Sequence, residues 1–261
     1  MMTMSWSLEQ IETYLLVFIR TSAILFAVPI FGSRDLPIIA KMGLALTLAW
    51  CVYPGINIPP ELRSGNLGVL VPAMIAEIGI GLAIGFAARL FFEAVQIGGQ
   101  LIGFQMGFGI VNVLDPLSGE NFSVVAQLQN LLAVMLFLWL NLHHVFFMAI
   151  AGSFERIPLL HCSLPGPLIE NIASMSTAMF SVAIKLAAPV IAVLLLCDCA
   201  MGILNRAAPQ MHVFILSFPL KIAAGLFVIG ITMPMFCFIL NKAFGNLGQY
   251  IARIIVLGKA V

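Results

Sequence analysis

An all-α integral membrane protein is the fold class this sequence predicts, and three observations predict it. Of 261 residues, 62% are hydrophobic and only 9% are charged, against about 25% charged in an ordinary soluble domain. Mean hydropathy is +1.11, so a water-soluble globule would lack the polar side chains to cover its surface. The same abundance of apolar residues excludes disorder. Third, the apolar residues run continuously over spanning length without strand-like alternation, which favours helices over a barrel. Twelve Lys and Arg against eleven Asp and Glu leave a net charge of +1, so there is no electrostatic footprint for nucleic acid.

About twenty apolar residues cover the hydrocarbon core as a helix, and runs of that order recur along the chain. Residues 1–13 contain Glu9 and Glu12 and no basic n-region, so they do not read as a cleaved signal peptide. The apolar runs are 14–31, 41–58, 69–92, 94–114, 124–151, 172–196 and 211–240. Residues 121–154 carry no Asp, Glu, Lys or Arg and are expected as one span. Six spans are expected, with a seventh depending on how 69–114 divides. The connections 32–40, 59–66, 115–121, 152–170 and 197–210 are too short for a soluble module, so a single membrane domain is expected. Pro59-Pro60 and Pro165-Gly166-Pro167 are breakers within them. Arg34 and Lys41 favour a cytoplasmic 32–41 loop, and Lys242, Arg253 and Lys259 a cytoplasmic C-terminus. Basic residues near the spans are otherwise too evenly spread to fix the topology.

Two features interrupt the apolar runs. Glu77, Arg89, Glu93, Lys185, Asp198, Arg206 and Lys221 lie within spans or at their ends. A charge at the bilayer centre costs about 2.5–3.5 kcal/mol on insertion scales, so these residues are expected to face protein or water. Arg89 and Glu93 are four apart and share a helix face, as an ion pair would require. Structural pairing within or between subunits is one reading of the set. A proton or ion relay is the other, although the carboxylates are mainly isolated.

The second feature is proline and glycine. Pro29, Pro37, Pro72, Pro189, Pro209, Pro219 and Pro234 fall inside or beside apolar runs, where each removes a helical hydrogen bond and bends its helix. Gly81 and Gly85, and Gly99, Gly103 and Gly107, recur at four-residue spacing, so each set lines one face that admits a close backbone. Kinked helices, small-residue faces and buried charges together predict extensive protein–protein contact.

Catalytic and metal motifs are weak. Cys51, Cys162, Cys197, Cys199 and Cys237 mostly sit inside apolar runs, as packing residues do. Cys197-Asp198-Cys199 has no second Cys or His pair at metal-site spacing. His143 and His144 are adjacent and point about 100° apart on a helix, which hinders shared ligation. His-Glu-x-x-His, Gly-x-Ser-x-Gly and Walker-type loops do not occur. A non-enzymatic protein without cofactor or metal is expected.

Three segments are more specific. They are Arg34-Asp35-Leu36-Pro37-Ile38-Ile39-Ala40-Lys41-Met42-Gly43-Leu44, then Gly99-Gln100-Leu101-Ile102-Gly103-Phe104-Gln105-Met106-Gly107-Phe108 running on to Leu114-Asp115-Pro116, and Leu204-Asn205-Arg206-Ala207-Ala208-Pro209-Gln210-Met211-His212-Val213-Phe214. The last continues as Ser217-Phe218-Pro219-Leu220-Lys221-Ile222-Ala223-Ala224-Gly225. In these residues, and over essentially its whole length, the chain resembles the FliR/SctT family of type III secretion export-gate proteins. His212 and Ser217 are mild departures from the family pattern and touch only local packing.

The resemblance implies a multi-pass subunit of the bacterial inner membrane, within the flagellar basal body. It implies assembly with FliP- and FliQ-like subunits, FlhB- and FlhA-like neighbours, contact with membrane lipid, and passage of unfolded substrates. It also implies kinked helical hairpins, with residues 1–170 like FliP fused to a FliQ-like hairpin over 171–261. Because such assemblies sit partly above the bilayer plane, hydropathy-derived spans need not all be true spans.

The family places a pore plug in the middle of the chain, and the matching stretch here is 105–121. It starts at Gln105, Met106, Gly107 and Phe108 and ends past Asp115 and Pro116. Gly107 and Gly109 interrupt the helix, Asp115-Pro116 turns the chain, and Phe108, Ile110, Val111, Val113 and Leu114 are apolar enough to seal a lumen. A plain inter-helix turn is the alternative. Gly81, Gly85, Gly99, Gly103, Glu77, Arg89, Glu93, Lys185 and Lys221 are expected in helix packing or subunit contacts. Asn205, Arg206, Pro209 and Gln210 are expected at the polar tip of the hairpin. Asp198, two turns before Arg206, is not its evident partner. The homologous virulence gate and a small-molecule secondary transporter are the competing readings, the latter requiring two matched halves.

Overall fold

The computed structural model describes residues 7–33, 36–56, 67–109, 123–160, 166–208 and 213–257. Every regular element among the described residues is helical: α1 Leu8–Ala27, α2 Pro29–Gly32, α3 Ile38–Val52, α4 Leu67–Gln105, α5 Val124–Trp139, α6 Leu142–Arg156, α7 Gly166–Ala207, α8 Val213–Gly245 and α9 Leu247–Leu257. A 3₁₀ turn, Tyr53–Gly55, follows α3. The predicted all-α membrane class holds. Among the described residues, five helical stretches are long and apolar enough to cross a membrane, and six if the broken pair α5 and α6 counts as one.

Local signals explain the ends. Ser7 and Gln10 form a reciprocal capping box at the start of α1, which satisfies two backbone donors that the first turn leaves open. Ser123 caps α5 by accepting from the Ala126 N–H at 3.3 Å. Pro29 opens α2 and Pro37 caps α3, positions where a missing N–H costs little. Pro72, Pro189, Pro219 and Pro234 lie inside helices, as the sequence suggested; Pro209 is outside the described residues.

Two expected boundaries are corrected. The runs 69–92 and 94–114 do not divide into two spans, because residues 67–105 form one helix of 39 residues. Its glycines receive neighbouring helices instead of breaking it, and in lipid every backbone group must stay paired within the helix. Conversely, the uncharged run 121–154 is not one helix. It breaks at Leu140-Asn141, where Asn141 takes left-handed φ 54 and ψ 28. Asn adopts that region more readily than most residues. The Leu140 N–H still reaches the Leu136 carbonyl at 2.9 Å, and the His144 N–H reaches that of Asn141 at 3.0 Å.

The chain forms two compact units with interleaved sequence. The first comprises Met1–Leu90, Asn141–Met175 and Asn246–Val261. Its core gathers Leu16, Val17, Ile24 and Leu25 of α1, Ile84 and Ala87 of α4, Phe146 and Ile150 of α6, and Leu247, Ile251, Ile254 and Ile255 of α9. The α9 residues recur at helical spacing, so that short helix buries one stripe. In α1, Ala23 and Ala27 seat against Gly81 and Gly85 of α4, where any Cβ would collide with them. The Tyr14 hydroxyl donates to the Leu46 carbonyl at 3.1 Å, and its ring meets Trp50 and Tyr53 edge-on, tying α1 to α3.

The second unit comprises Phe91–Leu140 and Ser176–Gly245. One end of its core is aromatic, with Phe92, Phe137 and Phe244 rings 5.6–5.7 Å apart. The other end packs Ile102, Met106, Val125, Ala187, Val190, Leu194 and Ile229 together. Gly98 faces the Ala183 backbone of α7, while Gly99 and Gly103 lie against Ala126 and Ser123 at the start of α5.

Candidate functional site

The predicted plug stretch begins where α4 ends, and that end is a built helix cap. The Gly107 N–H donates to the Phe104 carbonyl at 3.0 Å, and the Phe108 N–H to the Gly103 carbonyl at 3.1 Å. Gly107 has φ 98. This is the Schellman arrangement, in which a left-handed residue lets two backbone donors satisfy carbonyls of the last turn. Glycine is needed twice over, since a Cβ there would also meet the Phe218 ring at 2.7 Å.

The side chains around this cap are specific. Met106 is fully buried and lies over Gly225 of α8, where a Cβ would come within 2.8 Å of its sulfur. Phe108 packs against the cluster containing Ile102, Val190 and Leu194. The Gln105 amide Nε2 donates to Asp198 Oδ2 of α7 at 2.9 Å, and the ammonium of Lys221 on α8 forms an ion pair with Asp198 Oδ1. One carboxylate thus joins three helices. Of the remaining plug residues, Ile110, Val111, Val113, Leu114, Asp115 and Pro116 lie outside the described residues.

The other predicted charges separate into distinct settings. Glu77 is buried and pairs with Arg20 of α1, which is itself fully buried. Arg20 Nη1 donates to the Ser153 carbonyl at 3.2 Å and to that of Ile157 at 2.9 Å, satisfying the end of α6. Its guanidinium carbon lies 4.3 Å from the centre of the Phe154 ring, within cation–π range. The sequence reading missed Arg20. Its signal was available, because Arg20 is the lone charge of run 14–31 and Glu77 the lone charge of 67–88.

Arg89 is exposed and lines an open groove of about 710 Å³ between α1 and α4, with Phe18, Phe26 and Phe86. Glu93 is half-buried on the same helix, and Lys185 is exposed on α7 beside Gln129 and Thr232. Asn205 and Arg206 are exposed at the end of α7, while Pro209 and Gln210 are outside the described residues. His143 and His144 stack edge to face at 4.3 Å in the first turn of α6. Among the described residues no three His, Cys, Asp or Glu side chains gather as a metal cage. The glycines expected at helix contacts, Gly81, Gly85, Gly99 and Gly103, are filled by α1 and α5 of this same chain.

With this geometry in hand, similarity to known proteins is informative. Residues 11–247 match the family of bacterial export proteins, family 1. The flagellar biosynthetic protein FliR of Bacillus subtilis (strain 168) is 35% identical over 241 residues, covering 91% of this chain and 92% of that protein. FliR of Pectobacterium carotovorum is 31% identical over 234 residues, covering 88% of each. FliR of Escherichia coli (strain K12) is 30% identical over 250 residues, covering 95% and 94%.

Proposed function

Because the chain belongs to family 1 of the bacterial export proteins, we infer that it is a subunit of the flagellar type III protein export gate. The observation that carries this reading is near-full-length similarity to flagellar biosynthetic proteins at 30–35% identity. It is a multi-pass membrane protein of the inner membrane and basal body, and its role is conduction rather than catalysis. FliP- and FliQ-like subunits would complete the channel, FlhA- and FlhB-like components would lie beside it, and unfolded substrates would pass through. The long successive helices α7 and α8 support a FliQ-like hairpin over 171–261, joined to a FliP-like part over 1–170. Flagellar export is favoured over the virulence counterpart by the relatives above, which are flagellar by name.

Within that gate, residues 105–121 serve as the plug. Support comes from the capped end of α4, which stops the helix at Gly107 with Met106 buried and Phe108 packed. Replacing the chain by a variant lacking 105–121 tests both levels of the reading. Cells without the chain should secrete no flagellar substrate. Cells with the deletion variant should assemble the gate yet leak ions across the membrane. Undiminished secretion without the chain would overturn the gate assignment, and unchanged membrane conductance in the deletion would overturn the plug.

A further inference from the structure

The polar junction at the end of α4 carries an assignment of its own, which rests on the reading of 105–121 as the plug. Two helical stripes converge there. On α8, Phe218, Lys221 and Gly225 follow one another by three and four residues, so they share a face. Phe218 covers Gly107, Gly225 receives Met106, and Lys221 reaches Asp198 between them. On α7, Val190 and Leu194 pack in the core with Ile102 and Met106, and Asp198 continues that stripe one turn later. Asp198 therefore faces the last residue of α4, two turns before Arg206.

The Asp198 side chain is 36% exposed and that of Lys221 17%, so the carboxylate is partly withdrawn from water and gains from having its oxygens satisfied. Asp198 is satisfied on both sides, by the Lys221 ammonium on one oxygen and the Gln105 amide on the other. The arrangement is directional: the ammonium holds the carboxylate against α8, and the carboxylate holds Gln105, where α4 ends. We infer that Asp198, oriented by Lys221, is the positioning residue that holds the end of α4, Gln105 to Phe108, against α7 and α8 where the plug stretch begins. Backbone capping at Gly107 ends the helix; Asp198 fixes the residue from which that cap starts.

The test uses the full chain in cells holding the other export components. Cys51, Cys162, Cys197, Cys199 and Cys237 are replaced by Ser, and Phe108→Cys is the reporter. Reaction with a membrane-permeant maleimide reports how well residue 108 is held against its cluster. Labelling should be slow in the parent and in Asp198→Glu, and several-fold faster in Asp198→Asn and Lys221→Met. The exchanged pair, Asp198→Lys with Lys221→Asp, should return it toward the parental rate, because a glutamine amide can turn its oxygen to an ammonium. Labelling in Asp198→Asn as slow as the parent overturns the assignment. Should that variant fail to accumulate, the exchanged pair decides: slow labelling supports the assignment, and labelling as fast as Lys221→Met overturns it. Ion leakage on deleting 105–121 tests the plug separately, so the two failures are distinguishable.

Discussion

At the scale of single residues, buried charge organises the first unit. Removing one partner of a buried ion pair leaves the other uncompensated, at a cost of about 3–5 kcal/mol. Glu77→Ala should therefore strongly destabilise the chain, whereas Glu77→Gln keeps an acceptor for the Arg20 guanidinium and should cost less. Arg20→Met should be at least as damaging as Glu77→Ala, because it also takes the donor from the Ile157 carbonyl, whereas the Ser153 carbonyl keeps the Ile157 N–H. Thermal unfolding of the purified assembly checks the order; Arg20→Met melting like the parent would contradict it. Part of this was legible in the sequence. Glu77 stood out as a charge that had to face protein or water, and Arg20, the lone charge of run 14–31, was its available partner. The link between Asp198 and Gln105 was less legible, since 93 residues separate them and glutamine carries no charge to flag it.

At the scale of elements, small residues decide which helices meet. Without water in the bilayer core, helix association relies on close packing and interhelical hydrogen bonds. The Ser123 hydroxyl illustrates both: it sits over Gly103 and donates to the Gly99 carbonyl at 3.3 Å. Gly99→Val should push α5 away from α4 and reduce the amount of chain recovered in the membrane. By contrast, Gly79→Ala should leave it unchanged, because a Cβ at Gly79 meets nothing within 4 Å. Gly107→Ala should cost about 1–2 kcal/mol for its left-handed backbone alone, with displacement of Phe218 in addition. Quantitative immunoblotting of membranes orders these variants, and equal recovery of Gly99→Val and Gly79→Ala would refute the packing argument.

The four-residue glycine spacing made these faces readable in the sequence, but not which helix fills each. Helix boundaries were less readable, since hydropathy carries no information about φ. It divided the continuous α4, and it passed over the break at Asn141, whose local cue is a single polar residue in an apolar run.

At the scale of the whole molecule, much apolar surface remains outside the chain's own packing. Ile39, Trp139, Ile203, Phe227 and Phe238 are each more than two-thirds exposed. The span at Ile38–Gly55 has 11% of its residues buried within the chain, and the apolar 18-residue stretch within Leu216–Leu257 has 17%. Such faces cannot stand in water, so lipid or other subunits must cover them. Composition made this legible at the outset. The interleaving of the two compact units was not, because it depends on contacts between segments distant in sequence. The central claim is that this chain works as one subunit of a heteromeric export gate. The most direct measurement is purification of the tagged chain from membranes that also hold its FliP- and FliQ-like counterparts, with composition and mass determined. The expected result is a single particle containing all three, with the chain failing to accumulate as a stable species when the others are missing. A monodisperse lone chain that supports flagellar export without them would contradict the claim.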